Sequence, residues 1–279
     1  MHVFGPPSDY PGAPTRQYQP TEMPYQKYAP IARKLGLMRA VLVQPSAYGA
    51  DNSYLLDTLR QASNGERSRM RAVAVIDAET DAEALDAMHA LGVRGTRLNL
   101  MSPRIDSAAT AARLLQKTAA RIGRLGWHVQ IYADLKIIAT IAEVIARLNV
   151  AVVLDHMAGA RAEDGITTPE FIALLELLSS GDVWVKLSGA DIVAQRNIDP
   201  RAAVPFIKEL VAANPERLVW GTDWPHLVQH SGPMGKVAPP AAYRPIDEST
   251  LLQLLCGAVA DEATIQRILV DNPQQLYSF

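Results

Sequence analysis

Leu218-Val219-Trp220-Gly221-Thr222-Asp223-Trp224-Pro225-His226 is a short apolar run that ends on a carboxylate and then turns at once. A buried strand with an acid at its C-terminal tip is how a barrel enzyme presents a catalytic acid or base. The same pattern recurs at Ala151-Val152-Val153-Leu154-Asp155-His156. Taken singly, such an Asp could equally cap the next helix. Taken twice, it points to parallel strands that deliver polar groups to one end of a sheet.

Working outward, Val-, Ile- and Leu-rich runs of mostly unalternating character fall at 40–44, 72–76, 95–100, 128–132, 150–154, 183–187 and 218–220. That is the signature of parallel strands buried on both faces. Helical patterns lie between them, at 22–35, 54–61, 82–91, 108–125, 137–148, 169–179 and 202–213. Gly36, Gly92, Gly126 and Gly181 stand where helices end. Regular β–α alternation implies a parallel sheet with right-handed crossovers. Met1-His2-Val3-Phe4 is left as the eighth strand, and it is only a stub. The alternative, an open doubly wound sheet, would carry a Gly-rich phosphate loop after its first strand, and none is present. The reading is therefore an α/β fold, a distorted (β/α)8 TIM-type barrel with a truncated first strand and a C-terminal helical tail at 249–257 and 262–271. It is expected to form one domain over 1–279. Two Pro-rich loops, 5–21 and 230–245, are expected to cover the barrel mouth.

Composition removes several classes of function. With 279 residues, 48% hydrophobic, 20% charged and a net charge of −2, the chain lacks the basic stripe of a nucleic-acid binder. The single cysteine, Cys256, forbids an internal disulfide and argues against thiolate-bound zinc. No apolar run approaches the roughly 20 residues that span a bilayer, and the opening residues do not read as a signal peptide. The expected partner is a small-molecule substrate, with no nucleic acid and no membrane. A monomer or homo-oligomer in the cytoplasm is the expected setting.

In a barrel, the strand ends converge on one site. Read in order they supply His2; Gln44, Ser46 and Tyr48; Arg97 and Asn99; Gln130 and Tyr132; Asp155 and His156; Lys186 and Ser188; Asp223 and His226. Gln44 and Gln130 could instead line the barrel as satisfied polar groups, and Lys186 could pair with a neighbouring carboxylate. Arg97 stands inside an apolar strand. A buried guanidinium keeps its charge and needs a carboxylate, from a ligand or from Asp77 or Asp155. Arg104 and Arg161 could add positive field. Metal is the main fork, because His2, His156, Asp223 and His226 are ligand types that zinc accepts. A hydrolytic zinc site would want two histidines at i, i+2 on the first strand. Met1 precedes His2 here, and strand five offers Gln130, a poor ligand. No cofactor is expected, a weakly bound divalent ion such as zinc being the alternative.

These residues resemble the amidohydrolase superfamily, in the amidohydrolase-related branch that includes 2-pyrone-4,6-dicarboxylate and 4-sulfomuconolactone hydrolases. The likeness runs over essentially the full length. It rests on Met1-His2-Val3-Phe4-Gly5-Pro6, Val43-Gln44-Pro45-Ser46 with Gly49-Ala50-Asp51-Asn52, Gly95-Thr96-Arg97, Asp155-His156-Met157-Ala158-Gly159, Lys186-Leu187-Ser188-Gly189 and Gly221-Thr222-Asp223-Trp224-Pro225-His226. The resemblance implies a lactone hydrolase, opening a carboxylate-bearing cyclic ester by metal-independent attack of water, in catabolism of aromatic or sugar-acid compounds. It implies Asp223 as general base, His156 and His2 on the carbonyl side, Tyr132 as a donor and Arg97 as carboxylate clamp. Gln44, Ser46, Tyr48, Gln130, Arg161 and His226 are then expected to line the substrate. A metal-dependent amidohydrolase or decarboxylase, or a lactone isomerase, is the rival reading. Two departures stand out. The family's Asp-x-His-x-His is represented only by His2, and Ile192 lies where the dicarboxylate hydrolase has another arginine, Arg196 being the nearest substitute.

Overall fold

The computed structural model describes residues 1–101, 107–194, 199–228 and 240–279. Arg104, Arg196 and most of the loop 230–245 lie outside them. Seven strands are described: β1 (Ala40–Val43), β2 (Met70–Ala74), β3 (Val93–Asn99), β4 (His128–Tyr132), β5 (Val152–Leu154), β6 (Val183–Leu187) and β7 (Leu218–Trp220). The chain packs as two compact units, Met1–Arg97 with Asp223–Glu248 and Phe279, and Leu98–Thr222 with Ser249–Ser278.

In the first unit β1 pairs in parallel with β2, from Ala40 opposite Met70 to Val43 opposite Val73. β2 pairs in parallel with β3 through a register shift at Ala72/Val73. The Met1–Phe4 stub is not a full strand, yet it takes a strand-like place. Val43 N–H donates to Met1 O at 2.8 Å on one side, and His2 N–H donates to Trp224 O at 2.8 Å on the other. Phe4 then leaves to bridge Met23, which limits the ladder. The 5–21 loop is fastened down rather than loose. Phe4, Tyr18, Ala47, Tyr48 and Ala241 form a buried cluster. Ala13 N–H donates to Ala47 O at 2.7 Å, and the Tyr10 hydroxyl donates to Asp57 Oδ2 at 2.8 Å.

In the second unit β4, β5, β6 and β7 are all parallel neighbours in chain order. Their residues are buried almost throughout, as the unalternating apolar runs require. In both units helices begin and end on local signals. Asp81 caps Ala82–Leu91 by accepting from Ala84 N, and Gly92 ends it at φ 105°. Thr168 caps Pro169–Ser180, with Gly181 at φ 84°.

Two expectations need correction. The helical pattern at 137–148 is two short helices, Leu135–Thr140 and Ala142–Ala146, interrupted where Ile141 leaves the helical region. The tail continues past 271: Glu262–Gln266 passes through a wider π turn at Arg267–Asp271 into Asn272–Tyr277. Pro273 follows that turn, and its missing N–H removes one i→i−4 bond from a continuing helix.

Candidate active site

In the first unit, Asp223 sits at φ +61°. A left-handed backbone at a non-glycine residue costs about 1–3 kcal/mol and persists only where surrounding contacts impose it. One such contact is the His226 N–H, which donates to Asp223 O at 3.0 Å and closes the turn. The Asp223 side chain is 14% exposed, and its Oδ1 lies 3.7 Å from His2 Nε2.

His2 has a defined tautomer. Its Nδ1 is 2.8 Å from Val43 O, and a carbonyl oxygen can only accept, so Nδ1 carries the hydrogen. Nε2 is left as a bare acceptor directed at Asp223. Burial, with the Arg97 charge adding to it and Asp223 opposing, lowers the imidazole pKa from 6.5 to about 3, so the ring is neutral. In this tautomer Nε2 accepts hydrogen bonds, whereas the carbonyl-side role expected of His2 would need it to donate.

Arg97 is 8% exposed in β3, and its charge is felt at both His2 and Tyr18. The Tyr18 hydroxyl lies 3.5 Å from Ser46 Oγ. Burial raises the Tyr18 phenol pKa, and Asp223 also raises it while Arg97 opposes. Thus His2, Arg97, Asp223, Ser46 and Tyr18 form one electrostatic group.

Three expected substrate contacts in this unit have other work. Gln44 donates from Nε2 to Asp51 O at 2.6 Å and Gly49 O at 3.3 Å, stapling the turn after β1. The Tyr48 hydroxyl accepts from Gly5 N–H at 3.1 Å within the aromatic cluster. His226 is 2% exposed, and its Nε2 is 3.3 Å from Glu248 Oε1. Each is buried among protein groups in this structure.

The second unit carries a different constellation. Asp155, 2% exposed, takes Lys186 Nζ on Oδ1 at 2.7 Å and Gln130 Nε2 on Oδ2 at 2.8 Å. The alternative reading of Lys186, a pair with a nearby carboxylate, is the correct one. Gln130 is fully buried, with Nε2 given to Asp155 and Oε1 meeting no hydrogen-bond partner among the described residues. Beside this pair, His156, Met157 and Ala158 are consecutive left-handed residues at φ 48°, 51° and 60°. His156 Nδ1 is 3.0 Å from Ser188 Oγ. Tyr132 meets the imidazole edge to face, with ring centres 5.6 Å apart. Arg161 is 51% exposed and shared between Asp134 at 3.6 Å and Glu163 at 3.8 Å. These solvated ion pairs are worth little.

Among the described residues, no three His, Cys, Asp or Glu side chains come together in the way a metal site requires. Nor is any described helix long and apolar enough to cross a membrane. Sequence reasoning passed over Tyr18 and Glu248. The first lies in a Pro-rich loop and the second at the head of the helix Glu248–Val259, away from any strand end. Only folding brings them to Ser46 and His226.

The family model for amidohydrolases matches residues 1–279. The 4-sulfomuconolactone hydrolase of Hydrogenophaga intermedia is 32% identical over 279 residues, covering 99% of this chain and 86% of that protein. The D-galactarolactone isomerase of Agrobacterium fabrum is 31% identical over 284 residues, covering 99% of this chain and 89% of its own length. A solved apo structure from Agrobacterium tumefaciens, 26% identical, superposes with a TM-score of 0.80 over 100% of this chain and 94% of that one. The α/β barrel class expected from the strand pattern is the class to which the chain conforms.

Proposed function

The chain belongs to the amidohydrolase family of enzymes, and within it we propose that it hydrolyses a carboxylate-bearing lactone, without a metal, in catabolism of aromatic or sugar-acid compounds. The observation that carries this reading is the His2–Asp223 pair. Two acceptors, a carboxylate oxygen and a bare imidazole nitrogen, face each other at 3.7 Å. A donor with two hydrogens bridges two converging acceptors, and water is such a donor. Held there, the water oxygen attacks the lactone carbonyl carbon while Asp223 takes its proton, and His2 keeps the second hydrogen aligned. The tetrahedral intermediate collapses by breaking the ring C–O bond. The proton on Asp223 passes to the departing alkoxide, giving a hydroxy acid.

Arg97 serves this reading as the clamp for a substrate carboxylate, since a buried guanidinium offers a forked donor that suits one. His156 and Tyr132 serve on the carbonyl side. General-base help of this kind contributes about 10²–10⁴-fold.

A panel of lactones with no, one or two carboxylates, assayed in ¹⁸O-labelled water, tests the proposal. The expected result is turnover only of carboxylate-bearing rings, with label in the new carboxylate and no loss of activity on chelation. The isomerase relative makes the rival concrete: an acyl shift moves the ester without incorporating label. Unlabelled isomeric product would overturn hydrolysis, and inactivation by chelator would overturn the metal-free step.

A further inference from the structure

Ser188 is 2% exposed, and among the described residues His156 Nδ1, at 3.0 Å, is the partner its hydroxyl meets. The direction of that hydrogen bond decides what His156 can do. Were Nδ1 to carry the hydrogen and donate, the buried serine O–H would have no acceptor among the described residues, and a stranded buried donor is costly. With the O–H donating into Nδ1, both groups are satisfied. The imidazole hydrogen then resides on Nε2.

We infer that Ser188 is a positioning residue that holds His156 as the neutral Nε2–H tautomer, a hydrogen-bond donor and not a base. Gly189 makes the contact possible. A Cβ there would stand 2.8 Å from His156 Nδ1 and 3.0 Å from Ile192 Cδ1, and the backbone is at φ +65°. Any side chain would push the ring off the serine. Asp155, the neighbour of His156, is anchored by Lys186 and Gln130, which holds the base of the same turn. The catalytic consequence rests on the lactone reading: a neutral Nε2–H stabilises oxyanion character on a carbonyl without first giving up a proton.

Imidazole ¹⁵N spectroscopy tests the tautomer independently of any substrate. In uniformly labelled protein, with His156→Gln used to assign the signal, His156 is expected to show a protonated-type Nε2 and a bare-type Nδ1. Ser188→Ala should convert this to a mixture of tautomers and lower kcat about tenfold with little change in KM, the net worth of one such bond. Ser188→Thr, which keeps the hydroxyl, should restore both. A hydrogen on Nδ1 in the unaltered protein, or a tautomer indifferent to Ser188→Ala, would overturn the inference. An Nε2–H signal that responds to Ser188 in a protein that opens no lactone would sink the lactone reading and leave the tautomer assignment standing.

Discussion

The two histidines at the strand ends, His2 in the first unit and His156 in the second, are locked in opposite senses. A backbone carbonyl takes the Nδ1 hydrogen of His2 and leaves Nε2 bare. A serine hydroxyl gives its hydrogen to Nδ1 of His156 and leaves the proton on Nε2. The partners differ in kind: Val43 O can only accept, so His2 has no choice of tautomer, whereas Ser188 can turn either way and is committed by its surroundings. The electrostatics differ as well. His2 sits among Asp223 and Arg97, both within range of its charge, while the base of the His156 turn rests on a closed ion pair. Identical side chains thus become an acceptor in one region and a donor in the other, through the single atom hydrogen-bonded to Nδ1.

The contrast can be broken most sharply at Asp223. Asp223→Asn replaces an acceptor with an amide that can itself donate to His2 Nε2, so the paired acceptors are lost. kcat should fall about 10²–10⁴-fold while the melting temperature holds, and retention of a tenth of the original rate would remove Asp223 from its role. In the second region the anchor can be cut instead. Lys186→Met takes the ammonium partner from the buried Asp155 carboxylate and should cost about 3–5 kcal/mol in urea unfolding. Adding Asp155→Asn should recover much of that. A loss below about 1 kcal/mol would mean the pair does not anchor the turn.

The gentlest test separates the two histidines by pH. His2 has a folded pKa near 3 against 6.5 unfolded. As pH falls below about 6.5 the unfolded chain gains a proton that the folded chain refuses, so stability drops until about pH 3. Between pH 7 and 5 the unaltered protein should lose about 2 kcal/mol more than His2→Gln does. Equal losses in the two proteins would show that His2 titrates normally.

Much of this was legible beforehand. Strands 128–132, 183–187 and 218–220 and the helix 82–91 stand where the periodicity put them, because apolar runs and capping residues act locally. The strand tips were visible for the same reason: an apolar run ending on Asp or His needs no knowledge of neighbours. What each tip does was not legible. Gln130 and Asp155 look alike as polar ends of apolar runs, and only the pairing of β4 with β5 reveals that the amide of one donates to the carboxylate of the other. His226 reads as a mouth residue until Glu248 arrives from 22 residues away. Arg161 is the opposite case, since nothing in its flanking residues signals that its side chain stands half in solvent. Tautomers were beyond sequence altogether, because they depend on one oxygen brought up by another strand.

The missing Cβ at Gly189 also constrains how this chain can drift. Alanine is one nucleotide away, yet it would displace the imidazole of His156, so the substitution is closed for as long as the histidine is kept. The two positions can be released only together. Descendants that retain the histidine should keep glycine beside the serine, and those that lose the histidine should be free to fill the gap. That linkage would serve as an inherited mark of whether the donor is still in use.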